Sequence, residues 1–590
     1  MKRLLLIFLL TSVLTAQDID LTTHYERSAY KETPRYDETI SYAQKLAQVS
    51  PFIQYTTFGK SPQGRDLPLL IVNKNGHFTP EQVRRSGQLV FLIQACIHAG
   101  ESDGKDAGFL LLRDIIRKPA MFRLLDQVTI LFIPIFNVDG HERFSAYNRA
   151  NQNGPEEMGW RTTAQNLNLN RDYLKADTPE MRAWLQLFNR WLPDFFADSH
   201  VTDGADYQYA ITYKIDQHGI LDQGLIDWVR QDYLPPLQKS MANDGFPLID
   251  YVTFRKHHDV ESGMATWAAP PRFSDGYSAI QNRPGLLIET HMFKDYETRV
   301  NATYAILQHS LVLLNNQHQN LKAKIAHADQ FTAGSAFREQ PYTLSYRFTQ
   351  QYDMIDFLGY EYEVVKSDLS GGDWYRYFTE RPKTYRIPFY RYMEADEQVD
   401  LPLAYIIPPQ WTEVIERIKA HGIIFKQLDE TVSLKVDSYQ FSNPRWSATP
   451  YEGRHTLRVE TRPIREHRIF PAGSFVIPME QRAAKVIVHI LEPQGPDSFV
   501  SWGFFNTIFE QKEYVESYVM EERARLMLAG DKQLQEEFET KLRTDSTFAQ
   551  SPRNILNWFY QRSPYWDEEK DKYPVGKLND RSSFGALKFK

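Results

Sequence analysis

Residues 89–101 read LVFLIQACIHAGE, an apolar run that leads directly into His98 and Glu101. A short and nearly continuous apolar run is typical of a strand that is covered on both faces of a sheet. A second strand is predicted over residues 194–199, and His200 follows it. Because ligands of α/β folds collect beyond the carboxyl ends of the strands, these three polar side chains are expected to share one site.

The residue types at this site indicate a metal. Two histidines and one glutamate are the ligand set of an open zinc site, which leaves one position for water and is therefore catalytic. Zn²⁺ keeps a net positive charge in such a site, so it polarises a carbonyl and lowers the pKa of bound water to about 7. We expect one zinc ion at His98, Glu101 and His200. Cys96, the only cysteine, is either a fourth ligand or, more commonly, a small buried hydrophobe.

The pattern of apolar residues between positions 50 and 310 alternates between strands and helices. An α/β fold is predicted from this alternation, with a mixed, mostly parallel sheet flanked by helices. The predicted strands cover residues 69–72, 89–97, 128–136, 194–199 and 286–289, and the clearest helices cover 103–117 and 179–191. Beyond residue 330 the pattern changes, which indicates a C-terminal α+β region.

The chain is long enough for several domains, and its first residues indicate export. A chain of 590 residues exceeds a single ordinary core. Lys2 and Arg3 precede a short apolar run, which is typical of a signal peptide, with an uncleaved anchor as the alternative. No membrane span is expected after signal removal, and the location is periplasmic or secreted. The predicted parts are a signal peptide at 1–16, a catalytic domain at 17–330 and a C-terminal region of unassigned role at 331–590.

The composition excludes one class of partner. Lysine and arginine number 68 against 75 aspartates and glutamates, which gives a net charge of −7. Because nucleic-acid binding normally needs a basic face, no nucleic-acid partner is expected. Apolar residues make up 42% of the chain, as in an ordinary globular protein.

Further motifs lie between and after the proposed ligands. They are Asn137-Val138-Asp139-Gly140, Trp160-Arg161-Thr162-Thr163, Asn168-Leu169-Asn170-Arg171-Asp172-Tyr173 and Ile288-Glu289-Thr290. Together with the ligands, and in this order, they resemble the zinc carboxypeptidases of the M14 (carboxypeptidase A-like) family. The resemblance covers roughly residues 40–310.

The resemblance implies a catalytic role for two further residues. His98, Glu101 and His200 match the metal ligands of the family. Glu289 matches the glutamate that removes a proton from the water and passes it to the leaving amine, although a buried ion pair is the alternative. Arg161 matches the arginine that stabilises the oxyanion.

Substrate binding is implied for three more residues. Asn170 and Arg171 match the pair that holds the terminal carboxylate of the substrate, a task that suits the planar guanidinium fork. For either arginine, a surface salt bridge is the alternative. Tyr277 is the nearest candidate for the mobile substrate-binding tyrosine, although the family usually places that residue farther upstream of the catalytic glutamate, and loop packing is the alternative.

Two other positions depart from the family pattern. Asn168 replaces a common aspartate that supports a zinc histidine, and a neutral amide raises ligand basicity less than a carboxylate. The segment 255–277 is expected to form the pocket for the substrate side chain, but none of its residues, including Asp275, has an assignable role.

The predicted function is an exported zinc metallocarboxypeptidase that hydrolyses the last peptide bond of a peptide with a free C-terminus. One alternative is an amidase of peptidoglycan peptides, or a deacylase, with the same fold. The other is a binding protein without catalytic activity that has kept the ancestral site.

Overall fold

The computed structural model describes residues 20–590, so the predicted signal peptide at 1–16 lies outside the described residues. Contacts divide the chain into two compact units. The first contains the described residues through Leu401 together with Ile415–Ile424 and Glu480–Asp497, and the second contains Pro402–Val414, Phe425–Met479 and Ser498–Lys590. Between residues 20 and 590, no helix has the length and apolar character needed to span a bilayer. The domain limits at 17 and 330 remain a prediction about which segments fold independently.

The strands of the first unit are β1 (Ile53–Lys60), β2 (Asp66–Val72), β3 (Leu89–Gln94), β4 (Val128–Ile133), β5 (Phe195–Thr202), β6 (Ile211–Lys214), β7 (Ile249–Asp250), β8 (Met264–Ala265), β9 (Gly285–His291), β10 (Tyr342–Phe348), β11 (Asp353–Lys366), β12 (Asp373–Tyr390) and β13 (Met393–Val399). The helices as far as residue 491 are α1 (His24–Arg27), α2 (Tyr36–Val49), α3 (Pro80–Ser86), α4 (Asp103–Arg117), α5 (Pro119–Phe122), α6 (Val138–Glu142), α7 (Pro179–Trp191), α8 (Gln223–Trp228), α9 (Leu234–Asn243), α10 (Ser274–Ile280), α11 (Tyr296–Ala333), α12 (Ser335–Arg338), α13 (Thr412–Ala420) and α14 (Ala484–Leu491).

An eight-stranded sheet forms the centre of the first unit, in the order β1-β2-β4-β3-β5-β9-β6-β7. The inner strands β4, β3, β5 and β9 run parallel to one another, and the pairs β1–β2, β2–β4 and β6–β9 are antiparallel. The mixed, mostly parallel α/β sheet predicted from the sequence is therefore confirmed. All residues of β3, β4, β5 and β9 are buried, which explains the almost uninterrupted apolar sequences of β3 and β4, whereas β5 and β9 carry polar residues toward their C-terminal ends.

Two helices show why the sequence pattern predicted them well. α7 begins after Thr178, whose hydroxyl accepts a hydrogen bond from the N–H of Met181, and Pro179 occupies its first position. Its apolar stripe, which includes the fully buried Trp184, faces the core. α4 follows the loop that carries His98 and Glu101, and nearly all of its residues are buried.

A long β-hairpin after residue 350 was not predicted. β11 and β12 pair antiparallel from Asp353↔Phe389 to Lys366↔Asp373. The base of the hairpin is anchored by Phe357 and Tyr385, which pack with Tyr207 and Val252 in one buried cluster of the first unit.

The second unit contains a six-stranded sheet and a group of helices, in agreement with the predicted C-terminal α+β region. The elements of this unit are β14 (Ala404–Ile407), β15 (Lys426–Gln427), β16 (Val432–Trp446), β17 (Leu457–Phe470), β18 (Phe475–Pro478), α15 (Ser517–Gly530), α16 (Lys532–Thr544), α17 (Ser546–Ala549), α18 (Pro552–Tyr560), β19 (Gly576–Leu578) and α19 (Arg581–Gly585). The strand order in the sheet is β15-β18-β14-β19-β16-β17.

Candidate active site

The loop between β3 and α4 carries two of the proposed ligands, His98 and Glu101. The chain turns at Cys96, which has a left-handed φ of 55°. Gly100 allows a close approach, because an added Cβ would lie 2.7 Å from the carbonyl oxygen of Gly159. Cys96 is buried and lies outside the ligand cluster that the described residues form, so it matches the buried-hydrophobe interpretation.

Three ligand atoms converge on one point. His98 Nδ1, His200 Nδ1 and Glu101 Oε2 lie 3.2 Å from one another on all three sides of a triangle. A tetrahedral zinc ion with bonds of 2.0–2.1 Å would hold its ligand atoms about 3.3 Å apart. The geometry of these three atoms therefore fits a single zinc ion. The fold assembles the site from the loop after β3, which carries His98 and Glu101, and from the neighbouring strand β5, which carries His200.

The second nitrogen of each histidine also has a partner. His98 Nε2 lies 3.1 Å from Asn168 Oδ1, and His200 Nε2 lies 2.9 Å from Asp198 Oδ2. Each oxygen accepts the Nε2 proton, which leaves Nδ1 free as the ligand atom. Burial lowers the pKa of His98 to about 3, so this imidazole is neutral. Burial also disfavours the charged form of His200, but Asp198 and Glu101 outweigh it and raise the pKa of His200 well above its usual value.

Glu101 is the most heavily compensated carboxylate of the site. Its Oε2 accepts the backbone N–H of Val201 at 3.0 Å, and its Oε1 lies 2.9 Å from Arg149 Nη1 and 3.3 Å from Arg161 Nη1. Burial alone would raise its pKa, but the neighbouring His98, Arg149 and His200 outweigh burial and hold the pKa well below its usual value. Glu101 is therefore permanently ionised, as a metal ligand must be.

Glu289 faces the same pocket from the adjacent strand. In the β5–β9 ladder it is the direct partner of His200, so both side chains lie on one face of the sheet. Its residue surface is only 8% exposed. Burial, reinforced by the charges of Glu101 and Asp203, raises the pKa of Glu289 to about 8.

The remaining predicted side chains line the same pocket, except for Tyr277. Asn170 and Arg171 lie in a single 3₁₀ turn, Leu169–Arg171. The Asn170 Oδ1 accepts the backbone N–H of Ser274 at 3.0 Å, and the Arg171 guanidinium carbon lies 4.2 Å from the centre of the Phe273 ring. Arg161, Asn170 and Arg171 share a cavity of about 220 Å³ with the three proposed ligands and Glu289.

Comparison with known proteins decides the family. Residues 39–269 match the family model of the zinc carboxypeptidases, peptidase M14. This segment belongs to the M14 zinc carboxypeptidases. Because this family hydrolyses peptide bonds, the chain is a peptide-bond hydrolase.

The similarity to known carboxypeptidases extends beyond this segment. Carboxypeptidase 2 of Trichophyton rubrum is 21% identical over 492 residues, which are 80% of this chain and 84% of that protein. Carboxypeptidase 2 of Trichophyton equinum is 23% identical over 493 residues, again 80% of this chain and 84% of the relative.

Solved structures of carboxypeptidases also align with the chain. A metallo-carboxypeptidase from Pseudomonas aeruginosa, in complex with (2-guanidinoethylmercapto)succinic acid, has a TM-score of 0.37 and 19% identity, and the match covers 49% of this chain and 70% of that one. Carboxypeptidase A from Helicoverpa armigera has a TM-score of 0.36 and 15% identity, with coverage of 50% and 75%.

The structure places Tyr277 away from the pocket of the M14 site. Tyr277 is fully buried on α10, and its hydroxyl lies 2.9 Å from His421 Nδ1 and accepts a hydrogen bond from Gln281 at 2.8 Å. Its location fits the packing alternative. Tyr251, on the segment after β7, lines the pocket instead. The family usually places its substrate-binding tyrosine farther upstream of the catalytic glutamate than Tyr277 lies from Glu289. This departure was the one signal in the sequence that could have pointed to Tyr251.

Other residues that line the pocket had no role assigned from the sequence. Arg149, Asp203 and Lys214 were missed altogether, whereas Trp267 and Asp275 lie in the segment 255–277 that was expected to form the side-chain pocket. None belongs to a recognisable local motif, because tertiary contacts across long chain separations bring them together. Lys214 and Asp275, for example, meet at 2.6 Å although 61 residues separate them.

Proposed function

We propose that this chain is an exported zinc metallocarboxypeptidase that removes the last residue of peptides. The observation that carries the proposal is the triangle of ligand atoms, 3.2 Å on each side, which shares one cavity with Glu289, Asn170 and Arg171. A zinc ion held by His98, Glu101 and His200 would supply Lewis acidity toward the scissile carbonyl.

Glu289 is the proposed general base. Its carboxylate faces the cavity beside His200 and forms no ion pair with any of residues 20–590. It is therefore free to accept a proton from the attacking water and to deliver that proton to the leaving amine. A carboxyl group whose pKa lies near neutrality suits both halves of this transfer, since it exchanges a proton readily at physiological pH.

Arg161 is proposed to stabilise the oxyanion. Its side chain is 43% exposed, and its ion pair with Glu101 is long, at 3.3 Å. This single contact uses one of the five guanidinium N–H groups, so others are available to a substrate. A fixed cation directed at developing negative charge contributes about 3–4 kcal/mol in comparable oxyanion sites.

Asn170 and Arg171 are proposed to hold the free carboxylate of the substrate. The hydrogen bond from Ser274 N–H to Asn170 Oδ1 leaves the amide NH₂ of Asn170 available as a donor. The Phe273 ring supports the guanidinium of Arg171 from one face. Binding of a terminal carboxylate at this point restricts cleavage to chain ends.

The substitution Arg171→Ala tests this restriction. We expect kcat/KM on a peptide with a free C-terminus to fall about tenfold to hundredfold, because hydrogen bonds to a charged group contribute about 1.5–3 kcal/mol. Activity on the same peptide with an amidated C-terminus is expected to stay low and nearly unchanged. The matched control is Arg85→Ala, which removes an exposed arginine of α3 far along the chain. Equal losses on both peptides, or higher wild-type activity on amidated peptides, would exclude a carboxypeptidase and favour an amidase or deacylase.

Export is proposed from the basic and apolar residues at the start of the chain. N-terminal sequencing of protein recovered from the periplasm or the medium tests it. A mature chain that begins near residue 17 is expected, and an intact Met1 in the cytoplasm would contradict export.

A further inference from the structure

The strand register defines what lies beneath the proposed general base. On the central sheet, Glu289 of β9 pairs with His200 of β5 and with Thr212 of β6. Two residues earlier on β9, Leu287 pairs with Lys214 of β6. Since residues i and i+2 of a strand lie on the same face, Leu287 and Lys214 form a second row about 6–7 Å deeper along the strands.

This deeper row carries a buried ion pair. Lys214 Nζ lies 2.6 Å from Asp275 Oδ2, and each side chain is 5% exposed. The Lys214 ammonium also lies 4.6 Å from the centre of the Trp267 ring. All four residues, Leu287, Lys214, Asp275 and Trp267, line the same cavity as the proposed metal ligands.

The ion pair adjoins the proposed carboxylate clamp. Asn170 Oδ1 accepts the N–H of Ser274, and Asp275 is the next residue on α10. A substrate whose terminal carboxylate is held by Asn170 and Arg171, with its scissile carbonyl beside Glu289, therefore has its last side chain directed to the row below. The chemistry of that row then selects the side chain.

We propose that the Lys214–Asp275 pair makes the chain prefer a polar, uncharged C-terminal residue with both a donor and an acceptor, above all glutamine. This inference rests on the proposed function and names its substrate class. The ammonium has three N–H donors and the carboxylate accepts, so a carboxamide can bind to both without separating them.

Other C-terminal side chains fit the Lys214–Asp275 pair less well. A cationic side chain is attracted by Asp275 but repelled by Lys214, and an anionic one meets the reverse arrangement. An aliphatic side chain would cover the pair and offer no hydrogen bond to the remaining ammonium protons and carboxylate lone pairs, and buried polar groups without partners are costly. Glutamine also has a longer reach than asparagine toward a row that lies about 6–7 Å below Glu289.

The test compares N-acylated peptides that differ only in the last residue, which is glutamine, leucine, lysine or glutamate. For the wild type we expect the highest kcat/KM with glutamine. Lys214→Met leaves Asp275 without its cation, so the ratio of lysine to glutamate turnover is expected to rise about tenfold or more. Asp275→Asn leaves Lys214 without its anion, so the same ratio is expected to fall by a similar factor.

A charge-reversed double variant keeps the test decisive if a single variant folds poorly. Lys214→Asp combined with Asp275→Lys restores a neutral pair, and the glutamine preference is expected to return. A wild-type preference for leucine, lysine or glutamate overturns the inference, as does a lysine-to-glutamate ratio that stays constant in folded single variants. If the wild type hydrolyses no peptide of the series, the proposed function itself fails and the inference fails with it.

Discussion

Two glutamates that line one cavity show how surroundings divide the same residue type between two tasks. Glu101 lies in the loop after β3 and is surrounded by two arginines, two histidines and a backbone N–H. Glu289 lies at the end of β9, is equally enclosed, and forms no ion pair with residues 20–590. The pKa of Glu101 is held well below its usual value, whereas burial raises that of Glu289 to about 8. The partners, rather than burial alone, decide which carboxylate serves as ligand and which as base.

The largest effect is expected when the base is neutralised. Glu289→Gln should lower kcat by about 10²–10⁴, the usual contribution of a general base, with the zinc content unchanged. Glu101→Gln, the matched change at the proposed ligand, should remove zinc as well as activity. Steady-state kinetics together with metal analysis distinguish the two. Loss of zinc in Glu289→Gln, or a wild-type rate, would abolish the proposed division of tasks.

A third buried glutamate sharpens the comparison, because it lies on a helix and its carboxyl group has neither the cations nor the hydrogen-bond donors that surround Glu101. Glu180 of α7 is 1% exposed, and neither carboxylate oxygen has a hydrogen-bond partner among the described residues. Burial raises its pKa from 4.5 to about 7. Because the pKa of Glu180 is higher in the folded protein than in the unfolded chain, its contribution to the stability of the fold is fully present below the unfolded pKa. This contribution is lost as the pH rises through about 7.

We therefore expect Glu180→Gln to remove that pH dependence. Its free energy of unfolding, relative to the wild type, should increase by about 3 kcal/mol between pH 5 and pH 9. Urea denaturation at both pH values measures the difference. If the two proteins lose stability in parallel between these pH values, Glu180 is not an uncompensated carboxylate.

A smaller effect is expected from the group behind a ligand. Asn168→Ala removes the acceptor of the His98 Nε2 proton, which lies 3.1 Å away. Loss of such a supporting contact typically lowers metal affinity tenfold to hundredfold, so competition with a chelator should show a shift in that range. Asn168→Asp should bind zinc at least as tightly as the wild type. Unchanged affinity in Asn168→Ala would mean that the ring of His98 is oriented by other contacts.

The smallest effect is expected outside the cavity. Tyr277→Phe removes the hydroxyl that contacts His421 and Gln281, so it should cost about 1 kcal/mol of stability and leave KM unchanged. Tyr251→Phe, which alters the cavity wall, should instead change KM and spare stability. Thermal unfolding and kinetics on both variants measure this contrast. A raised KM in Tyr277→Phe alone would restore the substrate-binding role predicted from the sequence.

Local signals made the sheet and the metal side of the cavity predictable from the sequence. β3 is a nearly continuous apolar run that leads toward His98, β5 begins with the apolar residues 195–197 ahead of His200, and α7 has a Thr-Pro start. The opposite wall depends on long-range contacts, since Lys214 and Asp275 meet only after β6 and α10 have packed. The β11–β12 hairpin was missed because its exposed strands carry many charged residues and gain their stability from pairing, not from a continuous apolar sequence.

The zinc content of purified protein tests the central claim most directly. The account predicts about one zinc per chain in the wild type, the same in Cys96→Ser, and far less in His200→Ala, because His200 provides one corner of the 3.2 Å triangle. Wild-type zinc content in His200→Ala, with the protein folded, would show that the metal is held elsewhere and would contradict the account.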